Sequence, residues 1–165
     1  MAAAIESQPE PVTTPAPDGW LDHVDPAFGY TLLVPPGFVA RPQDVDRLRM
    51  FTPTPVASTF FMNPTMAAGD LAGIEPPDLE VRIYSAGKTD SLESWLTRAG
   101  FAYGSSGTHV EPQRVGDLHG VQVCQSTMIA PGCSIYVLHG ERVYQLTAIS
   151  REGEAMAATF RVVAP

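Results

Sequence analysis

The stretch from Leu79 to Gly100 constrains the fold more than any other part of the chain. Leu79-Glu80-Val81-Arg82-Ile83-Tyr84 alternates apolar and polar residues, which predicts a strand with Leu79, Val81 and Ile83 on one face. A helix follows. Asp90 is placed as its N-cap, with Glu93 three residues later as a capping box requires. Leu92, Trp95, Leu96 and Ala99 then fall at i, i+3, i+4 and i+7 and share one face. Gly100 is placed to end the helix in the left-handed conformation. A half-buried strand beside a one-faced helix has two apolar surfaces to cover, and layered packing is how such surfaces are covered.

The remaining elements point the same way. Phe28–Val34 reads as a strand ended by Pro35-Pro36-Gly37, and Phe38–Arg41 as a short second strand closed by Pro42. Arg47-Leu48-Arg49-Met50-Phe51 alternates and predicts an edge or half-buried strand. The last third reads as an antiparallel meander: strands near His109–Val115 and His119–Gln125, then Ser134–His139, a turn at Gly140-Glu141, and Arg142–Ile149. A helix from Glu152 to Val162 closes the chain, with Glu152 and Glu154 suiting its N-terminal dipole. The fold class expected is α+β, a central antiparallel β-sheet flanked by helices in an α/β/α sandwich.

At 165 residues this is one domain. Glu6–Asp18 holds Pro9, Pro11, Pro15 and Pro17 among Glu, Ser and Thr, so residues 1–19 read as a flexible Pro-rich tether and residues 20–165 as the globular domain. Met1-Ala2-Ala3-Ala4 has no basic start and no apolar stretch behind it, unlike a signal peptide. Two readings stay open. Either an export signal was removed upstream and the domain stands outside the cytoplasm on its tether, or this is a cytoplasmic protein with a loose tail.

Charge and composition exclude several functions. Charged residues make up 17% of the chain, too few for a wholly disordered protein or a coiled coil. The net charge is −8, which disfavours nucleic acid and anionic membrane surfaces as partners. No apolar run approaches the ~20 residues that span a bilayer. Phosphate-binding loops fail as well: neither G-x-G-x-x-G nor G-x-x-x-x-G-K-[ST] occurs, and Lys88 is the sole lysine.

Four features carry candidate chemistry. Cys124 and Cys133, the only cysteines, can form a disulfide if their two strands pair with 124 opposite 133. A register shifted by one residue matches Val121 and Val123 with Ile135 and Val137 and separates the cysteines onto opposite faces. Asp22-His23-Val24-Asp25 offers three possible oxygen and nitrogen ligands in four residues, but a turn before a strand is usually solvated, and no metal or cofactor is assigned. His109, His119 and His139 fall on or near strands. Gly104-Ser105-Ser106-Gly107 is one residue short of a G-x-S-x-G elbow, so no catalytic residue is assigned and the chain reads as a non-enzyme.

The fourth feature is Thr52–Pro77, too apolar for disorder and too long for an ordinary loop. Its bland reading makes Ser58–Met62 one more core strand. Its functional reading is an adaptable Met/Phe surface that docks another protein, with Phe60, Phe61, Met62 and Met66 as the contact residues.

Gly29-Tyr30-x-Leu32-x-Val34-Pro35-x-Gly37-Phe38 resembles the opening motif of PsbP-like domains, with Phe38 where Trp is commoner. That group holds the extrinsic photosystem II subunit PsbP, its relatives, and the Ran-binding import factor that shares the fold. Ser91-Leu92-Glu93-Ser94-Trp95-Leu96 resembles the family's helix after the central strand. Arg142-Val143-Tyr144-Gln145-Leu146-Thr147 with the final helix resembles its ending. The resemblance spans Trp20–Val163. It implies a binding or assembly factor whose partner is another protein or a membrane-associated complex, and many bacterial members are secreted or lipid-anchored. The alternative is a carrier of a small apolar ligand, with a cavity between sheet and helix lined by Trp95, Phe101 and Tyr144.

Overall fold

The computed structural model describes residues 17–69, 76–88, 91–101, 107–126 and 131–163. Its strands are β1 (Leu21–Asp25), β2 (Tyr30–Val34), β3 (Val39–Pro42), β4 (Ala57–Met62), β5 (Leu79–Ser85), β6 (Thr108–Val115), β7 (Leu118–Ser126), β8 (Pro131–His139), β9 (Arg142–Ala148) and β10 (Arg161–Val162). The helices are α1 (Val45–Leu48), α2 (Pro64–Ala68), α3 (Leu92–Ala99) and α4 (Arg151–Ala158).

Seven strands form one antiparallel sheet in the order β3-β4-β5-β9-β8-β7-β6, and β1-β2-β10 form a second, smaller one. Side chains alternate across the main sheet and divide the core in two. Phe61, Leu79, Val81, Ile83, Val137, Tyr144 and Leu146 point to one side, where they meet Tyr30, Leu32 and Val34 of the small sheet and Met156, Ala157 and Phe160 at the end of the chain. Tyr84, Val121, Val123, Tyr136 and Val143 point to the other side and meet Leu92, Trp95 and Leu96 of α3. The fold is the expected α/β/α sandwich, and the small sheet shares the α4 layer.

Both outer strands of the main sheet carry a proline, Pro42 in β3 and Pro112 in β6. Proline removes a backbone donor from an exposed edge and so discourages edge-to-edge pairing with another chain.

The structure corrects four expectations. Arg47–Phe51 is not a strand: Val45–Leu48 is a short helix, because Asp44 accepts the Asp46 N–H as its N-cap and Leu48 turns into the core. The cap of α3 is Ser91, which accepts the Ser94 N–H at 3.1 Å, and Glu93 is exposed; Asp90 lies outside the described residues. At its other end Gly100 has φ 79°, and Phe101 N–H donates to the Leu96 carbonyl. The final helix stops at Ala158. Thr159 then accepts the Leu33 N–H and donates to the Met156 carbonyl, and the chain turns to add β10 to β2. Finally, Leu21–Asp25 is a strand and not a turn.

Candidate functional site

The corner where β4 runs into α2 holds the four residues singled out in Thr52–Pro77. Ala57–Met62 is a strand, and its pairing with β5 fixes which way each side chain faces. Phe61 lies opposite Leu79 and Phe60 opposite Glu80. Phe61 therefore enters the core between main and small sheets at 0% exposure, and Met62 is also 0% exposed. Neither can meet a partner at the surface; both serve the core. Phe60 and Met66 are half-buried and keep part of their apolar surface in solvent.

The corner is held by polar contacts. Asn63 caps α2 by accepting the Met66 N–H at 2.9 Å, and Pro64 takes the first turn, where no backbone donor is needed. Asp78, itself buried, accepts the Asn63 N–H at 2.8 Å and its side-chain amide at 3.2 Å. Arg41, cross-strand from Phe60, donates to the Ala67 carbonyl at 3.4 Å. Phe60 and Met66 thus sit on a braced rim of the main sheet.

Beside Phe60 a polar row crosses the same sheet face. Ser58 donates to Glu80 at 2.8 Å, and Arg82 Nε donates to the same carboxylate oxygen. The Phe51 ring stacks on the Arg82 guanidinium, 3.9 Å from its centroid. Burial works against the Arg82 charge, but the Glu80 hydrogen bond and carboxylate outweigh it and hold the pKa above the ordinary arginine value. Further along, Tyr84 donates to Gln145 Oε1 at 2.8 Å, and Gln145 Nε2 donates to Ser134, which shares a hydrogen bond with Thr147 at 2.7 Å. Burial raises the Tyr84 pKa, so this hydroxyl stays a donor. These groups satisfy one another, which is what permits them to lie under the surface.

The space between α3 and the sheet is filled by rings. Tyr84–Trp95, Trp95–Phe101 and Phe101–Tyr136 centroids lie 5.3, 5.6 and 5.2 Å apart. Tyr144 does not join them. It faces the opposite side of the sheet, where its hydroxyl donates to the Phe28 carbonyl at 2.7 Å. The proposed carrier cavity therefore loses one of its three walls, because strand alternation gives the α3 side Val143 instead. A cleft of about 240 Å³ opens elsewhere, beside β2 and the end of α4, lined by Asp22, Thr31, Leu33, Ala158, Thr159 and Arg161 among others.

The Asp22-His23-Val24-Asp25 residues do not converge. Asp22 is exposed and lines that cleft, His23 turns inward against Phe61, and Asp25 accepts the Ala27 and Phe28 N–H groups. Among the described residues no group of three or more histidine, cysteine or acidic side chains is placed to hold a metal ion. His109, His119 and His139 are exposed, and His109 lies 3.4 Å from Glu111. Gly104, Ser105 and Ser106 lie outside the described residues.

Cys124 pairs with Cys133 across β7 and β8, and their sulfurs are bonded. The register is the one that sets Val121 opposite Tyr136 and Gln122 opposite Ile135. No helix among the described residues is long and apolar enough to cross a membrane.

With this geometry in place, the class of fold can be stated: it is PsbP-like. The chain is similar in structure to cyanobacterial PsbP (CyanoP) from Synechocystis sp. PCC 6803, whose solution structure it matches over 96% of its own length and 98% of that chain. The TM-score is 0.53 and the sequence identity 12%, a likeness of fold. No family model matches the sequence, and no curated protein does.

Proposed function

We propose that this protein is a non-enzymatic binding or assembly module that stands outside the cytoplasm on its Pro-rich tether, residues 1–19, and docks another protein or membrane-associated complex. The observation that carries this reading is the β4–α2 rim, where Phe60 and Met66 keep apolar surface in solvent while Phe61 and Met62 anchor the same segment in the core. A contact surface of this kind works when it is braced, because little ordering remains to be done on binding. The Asn63–Asp78 and Arg41–Ala67 hydrogen bonds supply that bracing. The PsbP-like fold agrees with a binding role, as the sequence resemblance implies. The Cys124–Cys133 bond agrees with an oxidising compartment.

The test compares the full-length protein with a Phe60→Ser, Met66→Ser double variant. Both should melt within a few degrees of each other, since neither side chain is fully buried. A partner that co-purifies stoichiometrically with the native protein should be lost from the variant. Equal recovery of that partner by both proteins would exclude this rim as the docking surface.

A further inference from the structure

We propose that the small sheet is a proton-sensitive layer of this fold with His23 as its sensor: neutral His23 lets β1 lie against the main sheet, and protonation loosens β1. His23 projects from β1 into the interlayer space. Its ring meets Phe61 of β4 edge-on at 4.9 Å and lies 6.0 Å from the Tyr30 ring of β2. Its Nε2 is buried and has no hydrogen-bond partner among the described residues. The hydroxyl of Tyr30 is also buried without a well-formed hydrogen bond, with Thr59 as its polar neighbour.

An imidazole can occupy such a place in its neutral form. Adding a proton puts a charge on a half-buried ring whose Nε2 has no partner among the described residues, and burying an unpaired charge is costly. Neither strand facing His23 offers relief. β2 is Tyr-Thr-Leu-Leu-Val and β4 is Ala-Ser-Thr-Phe-Phe-Met, with no acidic or basic side chain in either. The charge that acts on His23 is Asp25, on its own strand, and that carboxylate already accepts two backbone N–H groups. Burial outweighs its attraction and holds the imidazole below the ordinary histidine value.

β1 is also the strand best placed to respond. It pairs with β2 along one side, β10 takes the far side of β2, and Leu21 and Val24 are exposed. The sign follows from linkage. A basic group with a lowered folded pKa is protonated first in the open state. The stability of the layer is therefore complete above about pH 6.5 and falls as the pH drops through the folded pKa. Carboxylates titrate near pH 4 and lie below this window.

The experiment is residue-resolved hydrogen exchange on the full chain at pH 7.5 and 5.5, expressed as protection factors, for the native protein and for His23→Leu and His23→Gln. Protection of the β1–β2 amides should drop several-fold at pH 5.5 in the native protein, up to the roughly tenfold limit that one histidine can impose, with β5 and β9 unchanged. Both variants should lose this dependence, while exposed His109, His119 and His139 are present throughout. The same drop in a variant would overturn the proposal, as would constant protection in the native protein. Should neither variant fold, NMR titration of the native His23 ring decides. The proposal requires a midpoint below the ordinary histidine value, with β1 protection falling between about pH 6.5 and that midpoint, and an ordinary midpoint contradicts it.

Discussion

Gly153 lies where α4 crosses the end of β5. A Cβ added there would stand 1.9 Å from the Asp78 carbonyl oxygen and 2.7 Å from its carbon, and both atoms are backbone. That carbonyl also accepts the Ile149 N–H at 2.9 Å, so it cannot swing aside freely. Gly153→Ala should therefore lower stability by about 3 kcal/mol, the upper part of the range for forced overpacking, although alanine is the better helix former. Gly132→Ala is the control: its added Cβ meets nothing within 4 Å, and the change should stay within about 0.5 kcal/mol. Denaturant unfolding of both variants checks the contrast. Phe60 and Phe61 form a second residue-scale pair. Phe61→Ala removes a side chain at 0% exposure and should cost about 3–5 kcal/mol, while Phe60→Ser should cost far less. Sequence reading left Ser58–Met62 open between a core strand and a docking surface that holds both rings. Which ring faces the core is settled by pairing with Leu79 and Glu80, some twenty residues away, and no local pattern carries that information.

Among the elements, the β7–β8 pair is crossed by the Cys124–Cys133 bond, which closes a loop of sequence separation 9. In the chain-entropy model this contributes about 2–3 kcal/mol. The Cys124→Ser, Cys133→Ser variant should lose about that much in denaturant unfolding, and the native protein should lose the same on reduction. A loss under about 0.5 kcal/mol would mean that the strands hold their register without the bond. The cysteines themselves were legible in the sequence, but two registers competed, and three-dimensional pairing chose between them. Elements with long, clean periodicity, β5 and α3, were equally legible. α1 was not, because five alternating residues fit a strand, and the deciding signal was the Asp44 cap two residues before Asp46. β1 was obscured by its two aspartates, and β10, two residues long, has no pattern to find. Both belong to the small sheet, whose formation depends on contacts between the two ends of the domain.

The whole molecule is a main sheet covered on one side by α3 and on the other by α4 with the small sheet. Its layers are specified redundantly: alternation along β5, β8 and β9 divides the core into two clusters, and each covering element brings one apolar face to meet one of them. That redundancy is why the fold class could be read from the sequence while the function could not. The side chains that define the layers are apolar and numerous, whereas the proposed docking rim consists of two half-exposed residues on a braced corner. At this scale the acid response proposed for His23 should appear as a lower midpoint of thermal unfolding at pH 5.5 than at pH 7.5, and His23→Leu should narrow the difference.

Site-specific photo-crosslinking in the native host tests the binding role most directly. A photoreactive phenylalanine analogue would be placed at position 60 or 66 of the full-length protein, and at the exposed Glu152 of α4 as the control. The account predicts one dominant adduct of defined mass, the same from positions 60 and 66 and absent from 152. Adducts that are equal at all three positions, or absent from 60 and 66, would contradict it and leave the β4–α2 corner as a structural feature of a PsbP-like fold.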